Sequence, residues 1–184
     1  MSTLDGMTTG TWTLDPAHTE VGFSVRHAGI SKVRGVFGDV SGELTVAEDA
    51  SRSTGHVSIG MASVDTKNEA RDNHVRGGDF FDVENHPEMT YEITGLNLSD
   101  GEGTVTGKLT LRGVTQEVDL DAEFNGVAVD AFGTTRAGFS ATTSISRKEF
   151  GVTWNAALEA GGVMVSDKVQ ISLDVEFTAP EAQN

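Results

Sequence analysis

Val169 to Phe177 reads V-Q-I-S-L-D-V-E-F. Val169, Ile171, Leu173, Val175 and Phe177 alternate without a break with Gln170, Ser172, Asp174 and Glu176. Successive side chains of a β-strand point to opposite faces, so this run predicts a strand with one face in a core and the other in water. The same period recurs upstream. Val21, Phe23, Val25 and His27 share a face, as do Val57, Ile59 and Met61, and then Met89, Tyr91 and Ile93. Val105, Gly107, Leu109 and Leu111 follow a hairpin signal at Asp100-Gly101. Beyond an R-G-V-T turn come Val118, Leu120, Ala122 and Phe124, and Phe139 to Ile145 forms a further strand. Roughly eight half-buried strands of this kind build an antiparallel sheet. Closing that sheet on itself encloses the apolar faces and removes exposed edges. The predicted fold is therefore all-β, a barrel of about eight strands, wide enough to be filled by side chains or to hold one small ligand. A β-sandwich satisfies the same alternation.

Composition agrees with that class. The chain has 184 residues, with 22 glycines, 3 prolines and only 37% apolar residues, which suits one domain of many bent strands. Residues 1–10 are expected to be a flexible tail, 11–178 the domain and 179–184 a second tail. The formal charge of −15 disfavours nucleic acid and stable insertion into membranes. Without cysteine there is no disulfide, thiolate metal site or cysteine nucleophile. The N-terminus has no basic region followed by an apolar run, which predicts a cytoplasmic location. Within strands, Gly22, Gly60 and Gly107 are small enough to leave unfilled volume inside a barrel.

The alternation lapses for long only between Asp65 and Tyr91, D-T-K-N-E-A-R-D-N-H-V-R-G-G-D-F-F-D-V-E-N-H-P-E-M-T-Y. Thr66 with Glu69 forms a capping-box pattern that predicts a short polar helix over 66–76. Gly77-Gly78 predicts its end in a left-handed cap. Phe80-Phe81 follows at once, and two rings beside a weakly anchored helix predict a flap pinned across an apolar surface. An ordinary crossover with a core phenylalanine pair fits the same residues.

Recognisable chemistry is sparse. His18, His27, His56, His74 and His86 show no H-x-H, H-x3-H or H-E-x-x-H spacing, so no metal is expected. There is no G-x-S-x-G elbow and no glycine-rich phosphate loop. His27, in phase with Phe23 and Val25, reads as a core histidine bonded to a carbonyl, or as a polar group meeting a ligand's head. Arg71, Arg76 and Arg147 either pair with Asp72, Asp79 or Glu149 or face an anionic head group.

Four segments, taken together, resemble the YceI-like family of polyisoprenoid-binding proteins. They are W-T-L-D-P-A-H-T-E-V-G-F-S-V-R-H from Trp12, R-D-N-H-V-R-G-G-D-F-F-D-V-E-N-H-P from Arg71, G-K-L-T-L-R-G-V-T from Gly107 and S-R-K-E-F-G-V-T-W-N from Ser146. Glu149 stands where the family usually has Asp. The resemblance implies a lipocalin-like extended barrel with an apolar pore that carries or stores an isoprenoid or other long-chain lipid, without catalysis or a cofactor, and with a possible homodimer. Phe23, Val25, Phe37, Met89, Tyr91, Leu109, Leu111, Phe139 and Trp154 are the expected lining. Phe80 and Phe81 are the expected flap anchors, and His27, Arg71 and His74 the polar groups near a head. The competing readings are a hydrolase or isomerase acting on a lipid or lactone, and a stress-related interaction module with a filled core.

Overall fold

A computed structural model describes residues 4–158 and 162–180. The strands are β1 (Gly10–Leu14), β2 (Glu20–His27), β3 (Ser31–Phe37), β4 (Val40–Val46), β5 (Thr54–Gly60), β6 (Val64–Asp65), β7 (Glu88–Ser99), β8 (Glu102–Leu111), β9 (Val114–Glu117), β10 (Leu120–Val129), β11 (Thr135–Ser146) and β12 (Val165–Thr178), with one α-helix, α1 (Glu69–Arg76), between β6 and β7. All pair antiparallel. Eight of them close a ring in the order β1-β4-β5-β7-β8-β10-β11-β12, sealed where Thr13 and Leu14 of β1 meet Thr178 and Phe177 of β12. No helix among the described residues is long and apolar enough to cross a membrane.

The length of β12 makes the barrel an extended one. Its C-terminal end pairs with β1, while Val169 to Asp174 pair with Val25 to Glu20 of β2. The β2-β3-β6 branch therefore continues the wall beyond the end of β1. At this second end the wall is less regular. β8 leaves β10 after the pairs Val105–Leu120 to Glu102–Glu123 and pairs its far half with the short β9. The phase of β12 follows the sequence: Gln170, Ser172 and Asp174 are exposed, whereas Val169, Ile171, Leu173 and Val175 are half-buried and Phe177 is buried. Asp100 and Gly101 join β7 to β8 with φ of 53° and 82°, the positive values a type I′ hairpin needs and that Asp-Gly tolerates.

The core is concentrated at the β1 end. Trp12, fully buried, and Leu14, Leu44, Leu96, Leu98 and Phe177 fill the ring there. The N-terminal segment belongs to this core. Leu4 is buried, Met7 packs against the cluster, and Trp12 Nε1 donates to the Thr8 carbonyl at 2.9 Å. The expected loose tail over 1–10 is thus docked from Leu4 onward. Residues 1–3 and 181–184 lie outside the described residues.

The flap differs in detail from its sequence pattern. Asn68, not Thr66, caps α1, its side chain accepting from the Arg71 amide at 2.9 Å. Thr66 is instead a buried knot. Its amide and hydroxyl donate to Asp72 Oδ1 at 2.9 and 2.5 Å, and Arg71 Nε donates to its hydroxyl at 2.8 Å. A short Asx cap combined with a buried carboxylate outcompetes the capping box, because Asp72 gains two donors there. Gly77 has φ −78° and ψ 179°, so the helix ends by turning into extended chain, without the left-handed cap the Gly-Gly pair suggested. Arg76 ties the helix down by donating to the carbonyls of Ala62 (2.9 Å) and Val64 (3.1 Å).

Candidate functional site

Below the filled end lies a cavity of about 260 Å³. It runs along β2 from Val21 to His27, a path of roughly 20 Å at ordinary strand rise, and is bounded by β3, α1, the flap, β12 and the segment Val152–Trp154. Among the described residues, its lining contains no aspartate or glutamate, in a chain with 28 of them. Uncompensated carboxylates beside apolar surface would cost several kcal/mol each.

Two aromatic clusters shape it. Phe23, Phe37 and Phe81 form one, with ring centroids 5.5, 6.0 and 6.4 Å apart. Phe23 is able to lie flat across β3 because residue 35 is glycine; a Cβ there would overlap its ring. His74, Phe80 and Trp154 form the second, with centroids 4.9 to 5.3 Å apart. The adjacent rings Phe80 and Phe81 thus point into different clusters, and together they hold the flap against the cavity. Arg112 adds a polar strap, donating to the Gly78 carbonyl at 2.8 Å and the Gly151 carbonyl at 3.2 Å.

One end of the cavity is polar and open. Arg26, His27, Arg71 and His74 line it and are exposed. Arg71 spends two donors on Thr66, Nε on its hydroxyl and Nη2 on its carbonyl (2.7 Å). His74 is bonded to Asp79, 2.9 Å from Nε2 to Oδ2. Arg147 is buried behind this rim and donates to the carbonyls of Val152, Trp154, Val165 and Ser166 at 2.8 to 3.1 Å. Burial lowers its pKa, and the nearby Asp167 opposes that. It does not pair with Glu149. Its carbonyl partners fix the segment after β11 to the start of β12, which builds the rim itself.

Of the residues singled out from sequence, Phe23, Val25, His27, Phe37, Arg71, His74, Phe80, Phe81, Met89, Leu111 and Trp154 all line this cavity. Tyr91, Leu109 and Phe139 do not. They belong to the filled part of the barrel: Phe139 packs tilted on Phe124 and edge-on to Phe177, and Tyr91 lies over Gly107 and donates to the Val118 carbonyl at 2.7 Å. Burial raises the Tyr91 pKa further above its ordinary value. They share the correct face of their strands but sit on the wrong side of the boundary between core and cavity. Gly107 contributes no free volume for the same reason. Gly22 does line the cavity, and a Cβ there would meet its neighbours only at ordinary contact distance, whereas Gly60 is backed closely by the Asp39 side chain. His27 is not a core histidine either. It ends β2 and projects at the rim, because the strand outruns the closed barrel.

Sequence reasoning missed Arg26, Val33, Ile145, Met164 and Val165 as lining. Ile145 and Val33 carried the alternation signal; Met164 lies in an irregular segment with none. Asp15, His18 and Glu176 bring three possible metal ligands together. Arg136 already occupies this group, its Nη1 bonded to Asp15 at 2.5 Å and to Glu176 at 3.4 Å, so its countercharge is a guanidinium. Among the described lining residues, His27 and His74 are the imidazoles, and the one hydroxyl, on Thr66, is bonded to Asp72. A filled core is at odds with the cavity.

Comparison with known proteins places this geometry. The chain is 38% identical over 173 residues to a UPF0312 protein of Staphylococcus aureus strain N315, covering 92% of this chain and 98% of that one. The solved YceI protein of Campylobacter jejuni is 36% identical, with a TM-score of 0.71 over 92% of this chain and 98% of the other. BcnA of Burkholderia cenocepacia, at 23% identity, shares the fold with a TM-score of 0.74 over 89% and 98%. A polyisoprenoid binding domain from Saccharophagus degradans, at 17% identity, shares it with a TM-score of 0.71. The model of the YceI-like domain matches residues 12–177, from the buried Trp12 to the Phe177 that seals the ring, and the chain therefore belongs to the YceI-like family.

Proposed function

We infer that the protein binds a long-chain lipid, an isoprenoid or a chain of similar cross-section, in this cavity and carries or stores it. The observation that carries the reading is a deep apolar cavity, with no carboxylate among its described lining residues, opening at a rim of Arg26, His27, Arg71 and His74. A hydrocarbon chain asks for such walls, since each buried CH2 contributes about 0.8 kcal/mol and a five-carbon unit about 3 to 4. A few units offset the roughly 4 to 15 kcal/mol lost on association. The rim supplies donors for a polar head, and its two arginines suit a neutral or an anionic one. The name of the Saccharophagus degradans domain, polyisoprenoid binding, points the same way through the shared fold.

The test is mass spectrometry of an organic extract of the purified protein, followed by titration of the delipidated protein with prenyl and straight-chain lipids. A stoichiometric long-chain lipid in the extract, or tight rebinding of one, is expected. An empty extract together with no binding of any chain overturns the reading.

A further inference from the structure

At the rim, the chain presents apolar side chains to water. The hairpin joining β2 to β3 turns through Ala28 and Gly29, at φ 53° and 71°, and leaves Ile30 84% exposed. Beside it, the arms Ala156–Leu158 and Gly162–Met164 are paired through an Ala157–Val163 bridge, and Val163 is 51% exposed. The two features form one surface, because the Ala28 amide donates to the Met164 carbonyl at 2.7 Å. Both adjoin the cavity, whose lining includes His27, Met164 and Val165.

Charge along the β2–β3 hairpin has the opposite sign to the molecule's total, while the neighbouring stretch of sequence contributes Glu159 and Asp167. From Val21 to Gly38 the sequence has no carboxylate, and Arg26, Lys32 and Arg34 are exposed along the hairpin. Lys168 is exposed near the start of β12. Summed charge alone predicts repulsion from an anionic bilayer. Screening changes that balance, since at physiological ionic strength a charge acts over about 8 Å. The far end of β12 is roughly 40 Å from the rim at ordinary strand rise, so carboxylates there are not felt at a surface touched by the rim.

We propose that this end of the barrel docks reversibly on the surface of a lipid bilayer containing anionic lipids, with Ile30 and Val163 entering the interface and Arg26 and Lys32 facing head groups. Apolar side chains flanked by cations are the recurring composition of interfacial binding segments. Docking there would set the cavity mouth against the membrane, so that a lipid chain passes between bilayer and cavity without crossing water. The proposal goes beyond the carrier reading and is tested without any transferred lipid.

The experiment measures binding of the protein to extruded vesicles of phosphatidylcholine alone and of phosphatidylcholine with phosphatidylglycerol at a ratio of about 4:1, a charge density in the range that attracts basic segments. Sedimentation gives the affinity. Tryptophan emission gives the site, because Trp12 is wholly buried while Trp154 is half-buried at the rim. The expected result is binding to the anionic vesicles with a blue shift. The double variant Ile30→Asp, Val163→Asp should weaken it at least tenfold, and Arg26→Gln, Lys32→Gln should do so at low salt. All these side chains are exposed, and unchanged thermal midpoints will show the variants folded. Phe132→Asp is the control, since Phe132 is 94% exposed on the hairpin between β10 and β11 at the opposite end; it should bind as the parent does. Absence of parental binding to anionic vesicles overturns the proposal. So does an equal loss in Phe132→Asp, or a parental dimer that Ile30→Asp, Val163→Asp converts to monomer, which would make a second copy the occupant of this surface. Each of these results leaves lipid in the extract, and with it the carrier reading, untouched.

Discussion

Replacing Val169 with tryptophan should close the cavity while leaving the barrel folded. Val169 lies opposite Val25 on one side and Ile145 on the other, and all three line the cavity. Its side chain is half-buried and faces open space, so a larger ring has somewhere to go. The stability cost should fall at the low end of the 1–3 kcal/mol typical of overpacking. The effect on binding should be much larger. An indole covers about 150–250 Å², and displacing about 100–150 Å² of lipid contact at about 25 cal/mol per Å² removes about 2.5–4 kcal/mol. That is a rise of roughly 10² to 10³ in Kd. The assay is displacement of a fluorescent long-chain probe by unlabelled chains of increasing length, with thermal unfolding as the control. Long chains should lose the most affinity, and short chains that fit beside the ring should lose the least. A folded Val169→Trp variant that binds long chains as tightly as the parent would show that the chain does not occupy this cavity.

Other outcomes follow from individual contacts. Phe80→Ala and Phe81→Ala remove half-buried rings and should each cost about 2 kcal/mol, below the range for full burial; amide exchange should accelerate over 65–91 before it does in β8 and β10, and uniform acceleration would refute the flap. Gly35→Ala should push the Phe23 ring into the cavity and weaken lipid binding with a loss of stability of about 1–3 kcal/mol; a crystal structure with Phe23 unmoved would refute the role given to that glycine. Arg136 and His18 hold the Asp15 carboxyl at about 2, below the unfolded value of about 3.9. Its contribution is therefore present above about pH 4 and lost as pH falls towards 2. The gap in thermal midpoint between parent and Asp15→Asn should shrink across that interval, and a gap independent of pH would contradict the assignment.

The fold was legible because its signal is repeated. Each strand carries its own alternation, and β12 shows it over a full nine residues, so the error in any one strand hardly matters. The flap was legible as a lapse in that signal, but not in its hydrogen bonds. The sequence pattern points to Thr66 as the cap, and the structure's choice of Asn68 goes with the burial of Asp72, which depends on how α1 seats against β6. The same limit governs the site. Alternation tells which face of a strand is inward and nothing about depth along the barrel, so Met89 and Tyr91, two residues apart on one face, could not be separated into cavity and core.

What separates them is the staggered geometry of the barrel. β1 ends at Leu14, and β12 continues beyond it to Val165, pairing there with β2 instead. Where the ring is complete, eight strands converge and the buried side chains of Trp12, Leu98, Phe139 and Phe177 fill the interior. Where β2 and β3 replace β1, the sheet no longer closes through paired strands. α1 and the flap cover the gap with two phenylalanines, a buried carboxylate and a few arginine bonds to carbonyls. A cover made of side chains and one two-turn helix packs less completely than a paired strand, and it can open at less cost, because few backbone ladders have to break. The cavity, its polar rim and its most easily moved wall therefore share a cause in the length of β12, and a lipid chain would enter where the barrel has the fewest strand pairings to lose.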